Sequence, residues 1–436
     1  MSLLRRLERG DSAKESADRR VRGPSAAERA REYEWYPDLK IRVQNKLLAE
    51  LDTGLDPHAP EVRTTIEELF TTILAEESVV LGRADRQRLF EAIVAEILGF
   101  GPLEPLLADN SISLIMVNGP KNVYVKRRNN LIRSNVTFDD DEHVLRVMDR
   151  MFAPLGITLN DANPVCAGLL PDGSSVSVVL RPFCLNGPLV TIRKVPRQPL
   201  NVEDLIRFGT LTPEIAEFAR ATVIAKLNIL VCGRQGAGKT ALLNMLSMFI
   251  PNDERIITLE RNLELQLRQE HVVPLATPTI DDALASFAAH QRTDRLIFDL
   301  TDHTAAAAFI MGALRVSSMA ALSATTMEQA LVRCEIALLR AYPYLPLAQA
   351  RSVIAQAIDM IVVIDQLRDG SRKVTQIAEV VDSGPTRYQL NLLFTFEQTG
   401  IEGGKVIGRI RPTGIRPTFE ARIRDAGIYM PPSVYG

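Results

Sequence analysis

The sequence is poor in the residues that form disulfides and metal sites. Its 436 residues include only four cysteines and five histidines. The cysteines, Cys166, Cys184, Cys232 and Cys334, lie far apart and form no CxxC pair or Cys/His cluster. This spacing predicts small core residues in a reducing compartment rather than disulfides or metal ligands.

Long apolar runs and an excess of charge of one sign are also missing. The N-terminus, residues 1–11, has no apolar segment of signal-peptide length. The best candidate for a membrane span, residues 305–314, ends at Arg315 and is far shorter than the ~20 residues that a spanning helix needs. The formal net charge of −2 gives no overall argument for nucleic acid or anionic membrane as a partner. We therefore expect a cytoplasmic protein with no nucleic-acid partner.

What the sequence does contain is a phosphate-binding motif. Residues 228–250, NILVCGRQGAGKTALLNMLSMFI, are typical of a short apolar strand, a glycine-containing loop and an amphipathic helix. The loop matches G-x-x-x-x-G-K-T, and its position between strand and helix distinguishes it from a glycine-rich turn with an accidental lysine. The predicted nucleotide-binding residues are Gly233, Arg234, Gln235, Gly236, Ala237, Gly238, Lys239 and Thr240.

The residue types of this loop suit a polyphosphate. Several backbone N–H groups must point inward, which favours Gly233, Gly236 and Gly238 because a side chain blocks the approach or forbids the dihedral angles. The phosphates then lie at the positive end of the following helix. Lys239 supplies a cation for the β and γ phosphates of ATP, and Thr240 a hydroxyl ligand for Mg²⁺.

The first half of the chain changes its pattern twice before this loop. Residues up to about 33 are polar and charge-rich, which predicts a disordered or frayed arm. Apolar residues recur at helical spacing from about 37 to 99 and predict three packed helices. Residues 113–128 predict a hairpin, 141–152 a helix, and 169–180 a strand after a PDG turn. Together they indicate an α+β domain.

The second half alternates short apolar runs with helical segments. These runs predict strands at about 255–259, 295–300, 319–325 and 360–367. Such alternation indicates an α/β domain with a mostly parallel sheet covered on both faces, and a ligand at the carboxyl ends of the strands. The predicted division is an arm (1–35), a helical bundle (36–100), an α+β domain (101–197), a linker (198–210), the P-loop domain (211–385) and a C-terminal extension (386–436).

Numerous longer motifs resemble one family. They include GFGPLEPLLADNSISLIMVNGPKNVYV, LLPDGSSVSVVL, NGPLVTIRKV, IPNDERIITLE, AIDMIVVIDQLRDGSRKVTQIAEV and IGRIRPTGIRPTF. With the phosphate loop, these motifs run from about residue 40 almost to the end. The chain resembles the ATPases of type II and type IV secretion and pilus assembly, and within them most closely the CpaF-like branch of tight-adherence (Flp) pilus systems.

This resemblance implies a fold, an assembly and a place in the cell. It implies a RecA-like P-loop motor domain behind an α+β N-terminal domain and a small helical bundle, assembled as a hexameric ring. It also implies a peripheral location at the inner face of the cytoplasmic membrane, against an inner-membrane secretion platform protein. The basic tail positions Arg409, Arg411 and Arg416 then form a solvated extension, or alternatively a contact with that platform.

Three positions depart from the family's catalytic pattern. The acidic box has Arg261 where the family has aspartate, and the Walker B strand has Leu300 where the family has its catalytic glutamate. The histidine box has Thr325 in place of its histidine. The resemblance also implies arginines before Walker B that face a neighbouring subunit, and little beyond Arg292 remains of them. Because a leucine cannot polarise water, these changes predict impaired hydrolysis with retained binding.

Other acidic and basic groups keep an alternative open. Glu260 remains in the acidic box, and Asp299 precedes Leu300 at the tip of the strand, so both are catalytic candidates. Asp299 holds a water of Mg²⁺ or is simply a solvated acid. Arg193 matches the N-terminal-domain arginine that reaches the nucleotide in this family, or forms an ordinary surface ion pair.

Two functions follow from these residues. The first is a nucleotide-binding, hydrolysis-impaired paralogue that serves as a structural or regulatory subunit, in a homo-hexamer or in a mixed ring with an active paralogue. The second is an active ATP-hydrolysing motor that uses Glu260 and Asp299. A P-loop small-molecule kinase is a distant third, because nothing resembles its arginine-bearing lid.

Overall fold

The computed structural model describes most of the chain. The described residues are 39, 42–43, 46–47, 60–77, 81–127, 130–160, 162–195, 200–261, 263–277, 279–300, 303–381, 388–431 and 434–435. The arm predicted at 1–35 lies outside them. The chain divides into two compact units, residues 1–166 with 178–191, and residues 167–177 with 192–436. No helix in the described ranges is long and apolar enough to cross a membrane.

The first unit begins with packed helices. Helix α1 (Pro60–Glu76) and helix α2 (Arg83–Ile97) bury apolar residues at three- and four-residue spacing, and the rings of Phe70 and Phe90 lie 5.3 Å apart. Three earlier residues of the predicted first helix, Leu39, Val43 and Leu47, are buried in the same cluster. Their four-residue spacing places them on one helical face. Of that predicted helix, only residues 39, 42–43 and 46–47 are described.

A short helix α3 (Glu104–Ala108) leads into a mostly antiparallel region. Strands β1 (Ile112–Asn118) and β2 (Val123–Arg127) pair antiparallel, which confirms the predicted hairpin, and β3 (Asn130–Arg133) extends it. Helix α4 (Asp141–Phe152) is confirmed, and the Asp140 carboxylate caps it by accepting the His143 N–H.

Strands β4 (Val165–Leu169), β5 (Ser175–Val179) and β6 (Leu189–Arg193) complete a sheet of order β3-β2-β1-β6-β5-β4. The PDG turn predicted within residues 169–180 lies between β4 and β5, and the strand predicted after that turn is β5; strand β4, before the turn, was not predicted. Gly173 adopts a φ of 82° in this turn, which an L side chain rarely tolerates.

The predicted linker is partly helical. Helix α5 (Val202–Arg207) begins after Asn201, whose side chain accepts the Asp204 N–H while the Asp204 carboxylate accepts the Asn201 N–H. This reciprocal pair is a capping box and stabilises a helix of only six residues. Leu205 is buried in the apolar cluster of the second unit.

The second unit is built on a large sheet. Helix α6 (Pro213–Ile224) starts at a Thr212 cap and is followed by β7 (Ile229–Gly233), α7 (Lys239–Ser247), β8 (Ile256–Glu260), β9 (Val272–Ala276) and α8 (Asp282–His290). Next come β10 (Arg295–Leu300), α9 (His303–Ala313), β11 (Ser318–Ser323), α10 (Met327–Ala341) and α11 (Leu347–Ala357). Strands β12 (Met360–Gln366), β13 (Arg372–Val381), β14 (Gln389–Glu402) and β15 (Lys405–Pro412) and helix α12 (Glu420–Asp425) complete it.

The strand order is β15-β14-β13-β12-β7-β11-β10-β8-β9. The strands from β12 to β9 in this order pair in parallel, and β13 to β15 are antiparallel. Apolar side chains pack on both faces, and every residue of β7 is buried. This α/β arrangement, with the loop strand inside a parallel sheet flanked by helices, is a RecA-like P-loop fold and confirms the predicted fold class.

The C-terminal segment differs from the expected extension. Strand β14 runs to residue 402, and β15 pairs with it along the sheet edge. Arg409 and Arg411 therefore lie on a strand, with Arg411 3.2 Å from the Glu397 carboxylate. The tail packs as well: Phe218 lies within 6.4 Å of the rings of Phe419 and Tyr435.

Candidate nucleotide-binding site

The phosphate loop connects the buried strand β7 to helix α7. Gly236 and Gly238 have φ angles of 82° and 102°, in the left-handed region that favours glycine. The helix begins at Lys239, directly after Gly238, so its first unpaired N–H groups face the loop. Thr240 is the second residue of this helix. The strand, loop and helix therefore stand in the order that a phosphate cradle requires.

Gly233 is required for a reason that the sequence did not show. A Cβ at this position would lie 2.2 Å from the carbonyl oxygen of Ile364 on the adjacent strand β12. The glycine therefore permits the close approach of two neighbouring strands. The role expected for Gly233, making room for a phosphate, is not needed to explain why this position is a glycine.

Lys239 lies among acidic groups at the loop. Its ammonium donates a 3.1 Å hydrogen bond to the Arg234 carbonyl oxygen, within the loop itself. Burial lowers the pKa of Lys239, while the charges of Asp299 and Glu264 act to raise it. An anionic phosphate would add to that favourable charge and would offer the ammonium a stronger acceptor than a carbonyl.

Asp299 lies on the face of the sheet that helix α7 covers. Its neighbours Phe298 and Leu300 belong to the apolar cluster under helix α9, whereas Ile297 belongs to the cluster that contains Leu242 and Leu243 of α7. Since side chains alternate along a strand, Asp299 points to the α7 side. Burial, and then the charge of Glu264, raise the pKa of Asp299 to about 6, against the opposing effect of Lys239.

Glu260, at the end of β8, is fully buried and holds the segment that follows it. One carboxylate oxygen accepts the Thr258 hydroxyl at 2.9 Å, and the other accepts the N–H groups of Glu264 and Leu265, each at 2.8 Å. Burial raises the pKa of Glu260 to about 7, although these hydrogen bonds favour the charged form. The geometry therefore makes Glu260 an organiser of the loop that carries Glu264.

Arg193 and Glu264 form an ion pair, with 2.6 Å between Nη1 and Oε1. Both residues belong to the second unit. Half of the Arg193 side chain is exposed, and its charge acts to lower the pKa of Asp299. The residues that the sequence singled out therefore converge: Lys239, Asp299, Glu264 and Arg193 form one electrostatic cluster.

One residue at the loop was missed by the sequence analysis. Arg372, the first residue of β13, donates from Nε to the carbonyl oxygen of Gly236 at 3.1 Å. Its Cδ atom lies 3.0 Å from the position that a Cβ of Gly238 would take. The sequence did contain a signal for this contact. Strand β12 runs parallel to the loop strand β7, so the turn that follows β12 lies at the same edge of the sheet as the phosphate loop.

Two family models match the sequence. One, described as type II secretion system protein E, N-terminal domain, matches residues 36–98. The other, described as type II/IV secretion system protein, matches residues 96–335, more than half of the chain. The chain belongs to the type II/IV secretion system protein family.

Curated relatives of this family member are partial matches. An uncharacterised protein of Methanocaldococcus jannaschii is 33% identical over 250 residues, covering 53% of this chain and 34% of that protein. A putative conjugal transfer protein of Mycobacterium tuberculosis is 33% identical over 202 residues, covering 45% and 57%. The type IV secretion system protein VirB11 of Brucella suis is 31% identical over 189 residues, covering 38% and 52%. The chain thus spans roughly a third to three fifths of their lengths.

Solved structures give weaker matches. The VirB11 ATPase of Brucella suis, in complex with sulphate, is 26% identical, covers 64% of this chain and 92% of its own, and has a TM-score of 0.36. The Legionella pneumophila ATPase DotB is 13% identical with a TM-score of 0.48, covering 64% and 80%. Both scores are below 0.5, so the family assignment rests on the sequence models.

Positions 261, 300 and 325, where the resemblance predicts departures from the family's catalytic pattern, each have a defined environment. Leu300 is 3% exposed and packs in the apolar core. Thr325 donates its N–H and its hydroxyl to Oε1 of Gln329, at 2.6 and 2.9 Å, at the start of α10. Arg261 is exposed, and so is Arg292, which has a φ of 54°. Leucine, threonine and arginine here supply no carboxylate or imidazole to the loop.

The loop of this secretion-family protein fits a nucleotide phosphate with Mg²⁺. Among the described residues, no three or more His, Cys, Asp or Glu side chains are grouped to hold a metal by themselves. Mg²⁺ bound with a nucleotide needs only one or two protein oxygens, since phosphates and waters complete its octahedron. Thr240 and Asp299 are the protein oxygens that would hold it. Asp299 lies on the face of the sheet that α7 covers, and Thr240 is the second residue of that helix.

Proposed function

We propose that this chain is a nucleotide-binding, hydrolysis-impaired secretion or pilus-assembly ATPase of the CpaF-like branch. It acts as a structural or regulatory ring subunit rather than as a motor. The observation that carries this proposal is the combination of an intact phosphate loop with Leu300, which packs in the core where the family has its catalytic glutamate.

Nucleotide binding is supported by the loop and its charges. The glycine conformations, the helix start and Lys239 are all in place. ATP would be held by residues 233–240, with Arg193 able to exchange its ion pair with Glu264 for a phosphate. When bound with ATP, Mg²⁺ would neutralise phosphate charge. Thr240 and Asp299 would hold it in place.

The residues around the phosphate loop support impaired hydrolysis. Losing a general base typically costs about 10² to 10⁴ in rate. Glu260 does not replace the base readily, because both of its oxygens already accept hydrogen bonds from Thr258, Glu264 and Leu265. Turning it toward water would leave the buried Thr258 hydroxyl and the partly buried N–H groups of Glu264 and Leu265 without this acceptor.

A second function, an active motor, is favoured by one observation. Asp299 lies on the side of the sheet that faces α7, and its pKa of about 6 leaves it mostly ionised at neutral pH. A carboxylate with such a pKa suits proton transfer near neutrality. In this alternative, Asp299 accepts the proton of the attacking water and Glu260 positions the neighbouring segment.

The proposed assembly follows the family. The chain forms a homo-hexamer, or a mixed ring with an active paralogue, on the cytoplasmic face of the inner membrane. There it contacts a secretion platform protein. Retained ATP binding without turnover would let such a subunit complete the ring and report nucleotide occupancy to active neighbours.

The deciding experiment measures binding and turnover together. ATP affinity and steady-state ATP turnover with Mg²⁺ are compared among the wild type, Lys239→Ala and the control Lys405→Ala, which changes an exposed lysine of β15. We expect tight binding in the wild type and the control only, and turnover in all three at the background level. Wild-type turnover clearly above Lys239→Ala would establish the motor, and a loss of that turnover in Asp299→Ala would assign the base.

A further inference from the structure

Helix α7, which begins directly after the phosphate loop, buries the amide of Asn244 between Leu243 and Met245. Asn244 is 7% exposed, and its two neighbours are completely buried. Because burying an amide without hydrogen bonds costs free energy, the partners of this side chain explain its presence. Asn244 follows Thr240 by four residues, so it lies one turn further along the same face of the helix.

Both partners of the Asn244 amide are main-chain groups of residues 263–269. These residues follow β8 and form neither helix nor strand, and we call them the Glu264 segment. Nδ2 of Asn244 donates to the Glu264 carbonyl oxygen at 3.3 Å, and Oδ1 accepts the Gln266 N–H at 2.9 Å. The side chain therefore supplies the donor and the acceptor that a neighbouring strand would otherwise provide.

Two further side chains hold the Glu264 segment. The Glu260 carboxylate ties its first part to β8 through two N–H groups. The Gln269 amide donates to two carbonyl oxygens at and just beyond the end of α7, at 2.7 and 3.0 Å. Between these two anchors, the Asn244 bridge fastens Glu264 itself to the helix that starts at the phosphate loop.

The Glu264 carboxylate is part of the electrostatic cluster at the loop. Its Oε1 lies 2.6 Å from Nη1 of Arg193. After burial, the charge of Glu264 is the strongest influence that raises the pKa of Asp299. Burial lowers the pKa of Lys239, and the charges of Asp299 and Glu264 oppose that effect. The position of this carboxylate therefore sets the charge that a bound phosphate or cation meets.

We propose that Asn244 is a positioning residue of the nucleotide site, which holds the Glu264 carboxylate at a fixed place relative to α7. The inference rests on the nucleotide-binding function proposed above. A carboxylate near the phosphates attracts Mg²⁺ and repels a triphosphate that carries no cation. Loss of the Asn244 bridge frees the Glu264 segment, and the site then distinguishes less between ATP with Mg²⁺ and ATP alone.

The test measures ATP affinity by calorimetry, once with Mg²⁺ and once with EDTA, and takes the ratio of the two affinities. Asn244→Leu is close in size but bonds neither main-chain group. Asn244→Ser can bond a carbonyl of its own helix, as the Ser247 hydroxyl does with Leu243 at 2.7 Å, so no buried hydroxyl is left unpaired. We expect both variants to lower the ratio about 3- to 10-fold, the scale of coupling between contacting residues.

The matched control is Ser247→Ala, which removes another buried polar group from α7 and should keep the wild-type ratio. Glu264→Gln shows whether Asn244 acts through Glu264. This substitution should lower the ratio by itself, and adding Asn244→Leu should lower it no further. Equal weakening of ATP binding with and without Mg²⁺ in the Asn244 variants, or a further fall in the double variant, would overturn the positioning role.

Lys239→Ala separates this proposal from the one on which it rests. If Lys239→Ala binds ATP like the wild type, the proposed nucleotide site fails, and the role of Asn244 fails with it. If Lys239→Ala abolishes binding while the Asn244 variants keep the wild-type ratio, the nucleotide site stands and only the positioning role is wrong.

Discussion

At the scale of single residues, two neighbours in β10 have very different surroundings. Asp299 and Leu300 are adjacent in sequence, but their side chains point to opposite faces of the sheet. Leu300 is aligned with Leu322 of β11, and Leu322 in turn with Cys232 of β7; all three belong to the apolar cluster under α9. A carboxylate at position 299 is therefore not equivalent to one at position 300, because its side chain contacts groups on the opposite face of the sheet.

Glu260 gives a prediction about pH. Its pKa is raised from 4.5 to about 7 in the folded protein, so the unfolded chain loses this proton at lower pH. The free energy of unfolding should therefore fall as the pH rises from about 4.5 to 7, by about 3 kcal/mol from this group. Glu260→Gln keeps the hydrogen-bonding shape and should flatten this dependence.

Urea unfolding at several pH values measures the effect. Asp299, whose pKa is also raised, should supply the slope that remains in Glu260→Gln. Identical pH profiles for the wild type and Glu260→Gln would show that burial of the Glu260 carboxyl does not cause the loss of unfolding free energy with rising pH.

At the scale of secondary-structure elements, the contact of β7 with β12 gives a second prediction. In Gly233→Ala, the new methyl carbon would lie 2.2 Å from the Ile364 carbonyl oxygen, so the two central strands must separate. We expect a loss of about 1 to 3 kcal/mol in unfolding free energy, typical of overpacking. The control is Gly400→Ala, where a Cβ meets no atom within 4 Å. Equal denaturation midpoints for the two variants would contradict the strand contact.

Elements with a clear short-range pattern in the sequence were predicted, and elements without one were missed. The phosphate loop, the β1–β2 hairpin and α4 follow from short-range patterns, and the structure confirms the hairpin and the helix. Helix α5 was missed because six residues carry too little periodicity to stand out from a proline-bearing linker. Strand β15 was missed because its basic positions, 409 and 411, were interpreted as part of a solvated extension.

The candidate site shows the same limit. Lys239, Glu260 and Asp299 were found because each lies in or next to a recognisable motif. Arg372 was not, since it reaches Gly236 across 136 positions in sequence. The hydrogen bonds that occupy Glu260 also depend on where the N–H groups of Glu264 and Leu265 lie in the folded chain, which no spacing rule predicts.

At the scale of the whole molecule, the apolar stretch at 305–314 finds its explanation. Residues Ala305, Ala306, Ala307, Ala308, Phe309 and Ile310 are all at most 1% exposed. Helix α9 is apolar nearly all round because it packs between the sheet and helices α8, α10 and α11.

The strand order of the large sheet places β7 between β11 and β12, so the phosphate loop lies at the middle of the sheet rather than at an edge.

The proposed ring gives a prediction for the assembled protein. If ATP is bound between subunits, binding and assembly are linked, and ligand at 100 times its dissociation constant adds about 2.7 kcal/mol per site. We expect ATP with Mg²⁺ to shift the purified chain toward a hexamer at micromolar concentration, as measured by mass photometry. Lys239→Ala should not respond, whereas Lys405→Ala should behave as the wild type. A mass distribution independent of nucleotide would separate binding from assembly and leave the mixed ring, completed by an active paralogue, as the arrangement to reconstitute.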